Sequence, residues 1–370
     1  MKLFSIHPEV HSFDSAAQFC AEMQIGTGDL IISNEYILRP AFDGALQGAD
    51  VLFQEKYGTG EPSDRLVERM ARDLKGPYRR VFGIGGGSVI DVAKLFALKN
   101  ILPVADLFDG KIEPVKDKRL IIVPTTCGTG SEMTNLSILA MESRGTKLGF
   151  PCDAIFADQA VLIPQLLDSL PYYVFATSSL DALIHAVEAS LSPRANDFTL
   201  MTAQRAITLI VSGYQAVVRG GEDARRALHS EFLLASNYAG IALSVSGAGA
   251  VHAMSYPIGG NYHVPHGESN YALFTAVLER YHTMAPDGGI ARLEALLARL
   301  LECPQAEVYA AFSQLLNRVL KRKPLREYGV NEADLPALAE NVVRTQQRLL
   351  SNNYAPFSET DILEIYRSLY

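Results

Sequence analysis

Two segments of the chain contain residue types that bind metal ions. Asp181 and His185 lie four residues apart in SSLDALIHAVEAS, and on a helix this spacing puts a carboxylate and an imidazole on the same face. Three of the eight histidines, His252, His263 and His266, fall within VHAMSYPIGGNYHVPHG. Asp181, His185 and the two outer histidines of that segment would form a ligand set for divalent iron or zinc, with a position left open for substrate.

The local structure around these residues follows from their neighbours. Ser178 or Ser179 is expected to cap the first helix, which would put Asp181 in its first turn or two. The glycines and prolines of the second segment would let the chain turn back, so that its outer histidines converge. In the alternative without a metal, Asp181 would complement the helix N-terminus and His185 would form a hydrogen bond within a core.

A glycine-rich turn carries the first sign of nucleotide binding. In GIGGGSVIDVAK a strand leads into Gly85, Gly86 and Gly87, and a helix is expected to begin at Ser88, with Asp91 completing a capping pattern. The amide groups and positive dipole end of such a helix suit a phosphate group. The alternative is a tight strand-to-helix turn with an ordinary cap.

A second loop, PTTCGTGSE, follows the next strand along the chain. It presents the hydroxyl groups of Thr125, Thr126 and Thr129 beside two glycines. In an open parallel sheet, ligands bind beyond the carboxyl ends of the strands, where both loops would lie. Together the two loops favour a nucleotide site.

The hydrophobic pattern predicts two domains. Short apolar runs alternate with helical patterns in the first part of the chain, and these are strands at 29–34, 49–54, 79–86 and 119–126 and helices at 63–75 and 88–99. Such alternation is typical of a parallel sheet. From Pro171 onward the periodicity is helical, over stretches that include 178–191, 200–218, 225–243 and 289–301. We predict an N-terminal α/β Rossmann-like dinucleotide-binding domain over 1–168 and a C-terminal all-α helical bundle that binds the metal over 169–370.

Composition limits the partners. Acidic residues outnumber basic ones by 41 to 33, which disfavours nucleic acid and anionic membrane surfaces. We find neither a secretory signal nor an apolar run long enough to span a membrane, and the four cysteines show no disulfide spacing. We therefore expect a cytoplasmic protein with free thiols that acts on a small molecule.

The motifs GGGSxxDxxK, PTTxGTGSE, DAxxHAxE and PHG occur along almost the entire chain in one order. In this the chain resembles the iron-containing (group III) alcohol dehydrogenase family. The resemblance implies NAD as hydride acceptor and a divalent metal, Fe²⁺ or else Zn²⁺, that acts as a Lewis acid on the alcohol oxygen. It also implies Asp181, His185, His252 and His266 as the metal ligands, which leaves His263 outside the ligand set. We also expect a homodimer.

Within that family, LFQEKYGTGEPSD, SYPIGGNYHVPHGE, RKPLREYG and QQRLLSNNYAPFS are similar to segments of members that oxidise 4-hydroxybutyrate to succinate semialdehyde. That substrate carries a carboxylate, which requires a cation or several hydrogen-bond donors. Asn261, His263, Tyr256 and Lys147 are the candidates, although the resemblance also suggests that Lys147 lies near the cofactor. The sequence does not choose between them.

The chain departs from the family pattern at two positions. Many members carry a second histidine, credited with proton transfer, where this chain has Tyr256. Either Tyr256 or His263 would relay the proton instead, unless both only shape the pocket. Members that prefer NAD often have an acidic residue after the first strand, where this chain has Asn34. An amide binds a ribose hydroxyl but does not repel a 2′-phosphate, so NADP is not excluded.

Three other functions are consistent with parts of the pattern. The first is a dehydrogenase for a short uncharged alcohol or diol. The second is a lyase similar to dehydroquinate synthase, which would need a cluster of basic residues that the sequence does not show. The third is a non-catalytic protein that binds metal and nucleotide.

Overall fold

The structure is a computed structural model that describes residues 3–42, 44–46, 48–58, 60–144 and 146–370. The chain forms two compact units. The first consists of Ser5–Thr126 and Gly130–Leu170, and the second of Cys127–Thr129 and Pro171–Tyr370 together with the N-terminal residues up to Phe4. The two-domain fold class is confirmed, whereas the functional assignment of 1–168 and 169–370 stays a prediction.

The first unit is built on a parallel sheet. Its strands and helices are β1 Glu9–Ser12, α1 Ala16–Met23, β2 Asp29–Ser33, α2 Glu35–Phe42, β3 Asp50–Phe53, α3 Asp64–Arg72, β4 Arg80–Gly85, α4 Gly87–Phe96, α5 Val104–Phe108, β5 Arg119–Pro124, β6 Leu136–Met141, β7 Thr146–Pro151 and β8 Gln159–Leu162. Six strands pair in the order β1-β8-β5-β4-β2-β3, and every pair is parallel. β6 and β7 form a separate antiparallel pair.

The sheet is covered on both faces, which explains its apolar strands. All five residues of β2 are buried. Leu30 and Ile32 belong to a cluster that includes residues of α3 and α4, and Ile31 belongs to a second cluster that includes residues of α1 and α2. Successive strand side chains point to opposite faces, so the central residues of a strand that is buried on both faces are all apolar, as Leu30, Ile31 and Ile32 are in β2. The predicted strands at 29–34, 49–54, 79–86 and 119–126 are confirmed.

The second unit is helical. Its helices are α6 Tyr172–Leu191, α7 Asp197–Ala227, α8 His229–Ser246, α9 Ala250–Tyr262, α10 His266–Met284, α11 Gly289–Leu301, α12 Val308–Val319, α13 Leu335–Thr345, α14 Gln347–Leu350 and α15 Glu359–Ser368. Ala189, Ala203 and Ala242 form a buried cluster between α6, α7 and α8, where small side chains allow the helices to pack closely. The helical periodicity predicted over 225–243 is confirmed, with Leu228 separating the end of α7 from the start of α8.

Among the described residues, no single helix has both the length and the apolar composition to cross a membrane. The pair α8 and α9, bent by 104°, meets those two criteria when its helices are taken together.

Candidate metal centre and nucleotide-binding loops

Asp181 and His185 lie in the middle of α6. This helix begins at Tyr172 after Pro171, so Asp181 is its tenth residue. The predicted cap at Ser178 or Ser179 is therefore wrong, because both serines lie inside the helix and donate to its backbone carbonyl groups. The i, i+4 spacing does place the carboxylate and the imidazole together, with 4.0 Å between Asp181 Oδ1 and His185 Nε2. Both side chains are buried.

His252 and His266 reach the same place from two other helices. His252 lies in the first turn of α9, and His266 is the first residue of α10. The Nε2 atom of each histidine lies 3.7 Å from Asp181 Oδ1. The segment between them is not the loop that the glycines and prolines suggested, because most of it forms α9. The two histidines converge because α9 and α10 meet at a tight turn.

Gly267 allows α10 to approach α6 closely. A Cβ atom at this position would lie 2.1 Å from the carbonyl oxygen of Thr177, on the helix that carries Asp181. Real Cβ atoms do not come so close to a backbone oxygen. The glycine of the PHG motif therefore has a packing role, since any side chain there would push His266 away from Asp181.

The four side chains fit a divalent cation. Each offers one ligand atom, and these atoms lie within 4.8 Å of one another. The amide nitrogen of Asn270, one helical turn after His266, lies 2.7 Å from Asp181 Oδ1 and 3.1 and 3.2 Å from Nε2 of His252 and His266. One carboxylate oxygen and two imidazole nitrogens thus face one point, where the Asn270 amide nitrogen lies. Three imidazoles and one carboxylate suit iron or zinc.

The charges in this group are strongly coupled. Burial by itself would raise the pKa of Asp181, but the imidazoles of His185, His266 and His252 outweigh it and hold that pKa well below its usual range. Burial lowers the pKa of His185. For His252 burial acts in the same direction, but the carboxylates of Glu188 and Asp181 prevail and raise its pKa to about 9. The carboxylate of Asp181 is therefore ionised at neutral pH.

Glu188 fixes the orientation of His252. It follows His185 by one turn on α6, and its Oε2 atom lies 2.5 Å from His252 Nδ1. Its other oxygen accepts a hydrogen bond of 2.7 Å from the backbone N–H of Val251 in the first turn of α9. With Nδ1 engaged by Glu188, Nε2 is the ring atom directed at Asp181 and its partners. Glu188 is the last residue of the motif DAxxHAxE, so the sequence contained a signal for it. The motif alone did not indicate what this glutamate does.

Two asparagines near the C-terminus hold the break between α8 and α9. Asn352 donates to the carbonyl groups of Ser246 and Ala248 over 2.8 and 2.9 Å. Asn353 Oδ1 accepts from the backbone N–H of Ala250, the first residue of α9, over 3.2 Å, and also from the hydroxyl of Tyr281. These contacts satisfy helix ends that no local side chain caps. They fix the turn of helix that presents His252.

The predicted catalytic residues take up different environments. The ring of Tyr256, one turn after His252 on α9, lies 6.0 Å from the ring of His266 between centroids. His263 ends α9 in the left-handed conformation with a φ of 55°, and it is exposed, as is Asn261. Lys147 lies on β7 of the other unit, where its Nζ atom is 2.5 Å from Glu61.

The two glycine- and threonine-containing loops lie side by side at the carboxyl ends of β4 and β5. The N–H of Thr125 donates to the carbonyl group of Gly85 over 3.0 Å. A Cβ atom at Gly86 would lie 3.5 Å from Thr126. Thr129, by contrast, belongs to the helical unit. Loops that follow neighbouring parallel strands are where this class of sheet binds nucleotides.

The predicted helix cap in the first of these loops is wrong. Helix α4 begins at Gly87 with Gly86 before it, and no side chain caps it. Asp91 instead accepts hydrogen bonds from the hydroxyl of Ser131 and the N–H of Ile138, over 2.7 and 3.0 Å. The amide groups at the start of α4 are therefore not capped by a side chain. A phosphate site at a helix N-terminus requires such uncapped amide groups.

Comparison with known proteins gives matches along both units. Residues 6–164 match the family described as iron-containing alcohol dehydrogenase, and residues 175–370 match the C-terminal region of the Fe-containing alcohol dehydrogenase family. A 4-hydroxybutyrate dehydrogenase of Clostridium kluyveri is 49% identical over 371 residues, which cover 100% of both chains. A long-chain-alcohol dehydrogenase of Geobacillus thermodenitrificans is 34% identical over 87% of this chain and 81% of its own.

Solved structures share the fold. An archaeal alcohol dehydrogenase from a Red Sea brine pool has a TM-score of 0.84 at 21% identity, over 99% of this chain and 98% of its own. A 1,3-propanediol oxidoreductase has a TM-score of 0.83 at 24% identity and full coverage of both chains.

Proposed function

Because the chain belongs to the iron-containing alcohol dehydrogenase family, we propose that it is a metal-dependent, NAD-linked enzyme that interconverts 4-hydroxybutyrate and succinate semialdehyde. The observation that carries the substrate is the 49% identity over the full length of a 4-hydroxybutyrate dehydrogenase. Family membership also favours an oxidoreductase over a lyase or a non-catalytic binding protein.

Asp181, His185, His252 and His266 would hold the metal ion. Their convergence within 4.8 Å, with the first three side chains buried and His266 half-buried, supports this assignment. The family description favours Fe²⁺, and a donor set of one carboxylate and three imidazoles also accepts Zn²⁺. When bound, such an ion supplies Lewis acidity toward the alcohol oxygen. Glu188 would keep the Nε2 atom of His252 unprotonated for this purpose.

The proton of the substrate hydroxyl needs an acceptor of its own. Tyr256 is the candidate nearest the ligand group, since its ring packs against those of His252 and His266. Its phenol would donate a hydrogen bond to the substrate oxygen or pass the proton on. The exposed His263 would exchange that proton with solvent, or, together with Asn261, donate to the substrate carboxylate.

NAD would accept the hydride. Gly85, Gly86, Gly87 and Ser88 at the start of α4 and the hydroxyl groups of Thr125 and Thr126 would hold its pyrophosphate. The adjacency of the two loops at the carboxyl edge of the sheet supports this. Thr129, Lys147 and Asp91 remain predicted contacts of the cofactor site, with Asp91 acting through the loop that it ties to α4.

Assembly and location are part of the same proposal. A homodimer is supported by β1, which forms one edge of the sheet and exposes Val10, with the exposed Ile6 shortly before it. A cytoplasmic location is supported by the cysteines, all four of which are free.

The test is a substrate panel. The purified protein, loaded separately with iron and with zinc, is assayed for NADH formation with 4-hydroxybutyrate, 1-butanol, propane-1,2-diol and glycerol. We expect kcat/KM to be highest for 4-hydroxybutyrate, with a lower KM than for butanol. Comparable values for the two would remove the carboxylate-binding pocket from the proposal and favour an uncharged alcohol, as the name of the Geobacillus relative suggests.

A further inference from the structure

The strand order brings three chain segments together at the edge of the sheet where the carboxyl ends of the strands lie. β2 pairs with β4 on one side and with β3 on the other, and the last residue of β2, Ser33, lies opposite Ile84 and Phe53. All three strands are parallel, so the residues that follow them emerge at the same edge. The glycine-rich loop follows β4, Asn34 follows β2, and Glu55 comes shortly after β3.

Glu55 is held in place by the segment after β2. Its Oε2 atom accepts a hydrogen bond of 2.8 Å from the Asn34 amide, and its Oε1 atom accepts one of 2.6 Å from the backbone N–H of Glu35. The side chain is partly exposed. Each carboxylate oxygen can accept a second hydrogen bond, so Glu55 is both positioned and able to take further donors.

Two cations of the segments that follow β2 and β3 have other partners. Arg39 donates to its own helix neighbour Glu35 over 2.7 Å. The ammonium group of Lys56 lies over the ring of Phe53, 4.8 Å from its centroid. Among the described residues at this edge, the charged group that contacts the Asn34 side chain is therefore the carboxylate of Glu55.

We propose that Glu55 selects NAD over NADP. In dinucleotide-binding sheets, an acidic residue after the strand beside the glycine-rich one binds the adenosine ribose and repels a 2′-phosphate. In this chain that position holds the neutral Asn34, and the carboxylate comes from the next strand instead. Glu55 would accept the ribose hydroxyls while Asn34 fixes its orientation. This inference rests on the proposed NAD-linked function.

The experiment compares Glu55→Gln with the wild-type protein by titrating NADH and NADPH, with nicotinamide fluorescence giving Kd for each. Glutamine keeps the shape and an oxygen for the Glu35 N–H but removes the charge. We expect wild-type protein to bind NADH more tightly, and the ratio of the two Kd values to fall by about tenfold or more in the variant, which is about 1.4 kcal/mol. Glu113→Gln removes the same charge from an exposed position of the same unit and should leave the ratio unchanged.

A second variant separates charge from folding. Glu55→Asp keeps the carboxylate on a shorter side chain, and we expect it to retain the preference for NADH with weaker binding. Circular dichroism melts of all variants show whether they fold. An unchanged Kd ratio in folded Glu55→Gln overturns the inference, and so does a wild-type protein that binds both nucleotides equally, although the dehydrogenase would then still stand. If the wild type binds neither nucleotide, the proposed function fails with it.

Discussion

The carboxylate of Glu188 bridges the side chain of His252 and the helix that carries it. One oxygen lies 2.5 Å from His252 Nδ1, and the other accepts from the N–H of Val251 over 2.7 Å. The same residue therefore sets the rotation of the imidazole and anchors the first turn of α9. Because Glu188 and Asp181 share α6, one helix positions both the Asp181 carboxylate and the imidazole of His252, two of the four proposed ligands.

Glu188→Gln should weaken metal binding by about tenfold to a hundredfold. An amide N–H facing His252 Nδ1 would force that atom to accept, which moves the imidazole proton to Nε2 and removes the lone pair that the metal needs. Titration of the metal-free protein with Co²⁺ checks this through its visible spectrum. Glu340→Gln, at an exposed site of α13, is the charge-matched control, and equal affinities in the two variants would contradict the role of Glu188.

His266→Ala should lose metal and activity together. Loss of a residue that binds the metal weakens metal binding more than loss of a residue that only orients such a ligand. We therefore expect the metal affinity to fall by more than about a hundredfold. Metal analysis of the dialysed protein gives the occupancy. His263→Ala is the matched comparison, because His263 is exposed and outside the ligand group, and it should retain the metal. Full occupancy in His266→Ala would rule out that ligand.

Tyr256→Phe should retain the metal but turn over slowly. The ring that packs against His266 is kept and only the hydroxyl is lost. If the phenol transfers the proton, kcat should fall by about a hundredfold, whereas KM should change little. Steady-state kinetics over a range of pH provide the measurement. Unchanged kcat across that range would leave Tyr256 with a role only in shaping the pocket.

Asn353→Ala should loosen the start of α9. The Ala250 N–H and the Tyr281 hydroxyl would both lose their acceptor, at a cost of about 1–3 kcal/mol in the free energy of unfolding. We also expect Co²⁺ affinity to fall by about tenfold, since His252 lies in the affected turn. Tyr309→Phe removes the hydroxyl of a half-buried tyrosine that donates to Glu294 in the same unit, and it should lower stability without weakening Co²⁺ binding. Equal Co²⁺ affinity in both variants would show that Asn353 matters only for stability.

The central strands were predictable because burial on both faces leaves a continuous apolar run, as in β2. β1 and β8 were missed. β1 lies at the sheet edge and exposes most of its residues, whereas β8 is fully buried and, at four residues, is as long as the predicted β3, so its omission has no structural explanation. The hairpin of β6 and β7 was also missed, since its strands are only partly buried. The burial of β6 alternates along the strand, but its sequence LSILAM does not alternate polar and apolar residues, so the pattern could not be recognised.

The helix starts were predicted wrongly where tertiary contacts override local rules. Asp91 has the spacing of a capping residue, but the hydroxyl of Ser131 and the N–H of Ile138 attract its carboxylate away from the helix terminus. The α6 helix extends upstream of Ser178 because Pro171 offers a suitable start. The competing partners of Asp91 lie about forty residues away and are not visible in the local sequence, whereas Pro171 is visible there.

The four candidate ligands could be identified from residue type, spacing and family resemblance, whereas the residues that hold them could not. Asn353 lies more than a hundred residues from Ala250 along the chain. No periodicity joins two such positions, and only the packing of the C-terminal segment against the start of α9 brings them together. Glu188, by contrast, could have been predicted to lie beside the ligands, because it follows His185 by one turn on the same helix.

The metal dependence of turnover tests the account most directly. Wild-type protein is stripped of metal, reconstituted with Fe²⁺ without oxygen, and assayed for NADH formation with 4-hydroxybutyrate before and after reconstitution. We predict almost no activity without metal, and activity that rises in proportion to bound Fe²⁺ until one ion is held per chain. Full activity in the stripped protein, or bound Fe²⁺ with no turnover of 4-hydroxybutyrate, would contradict the assignment.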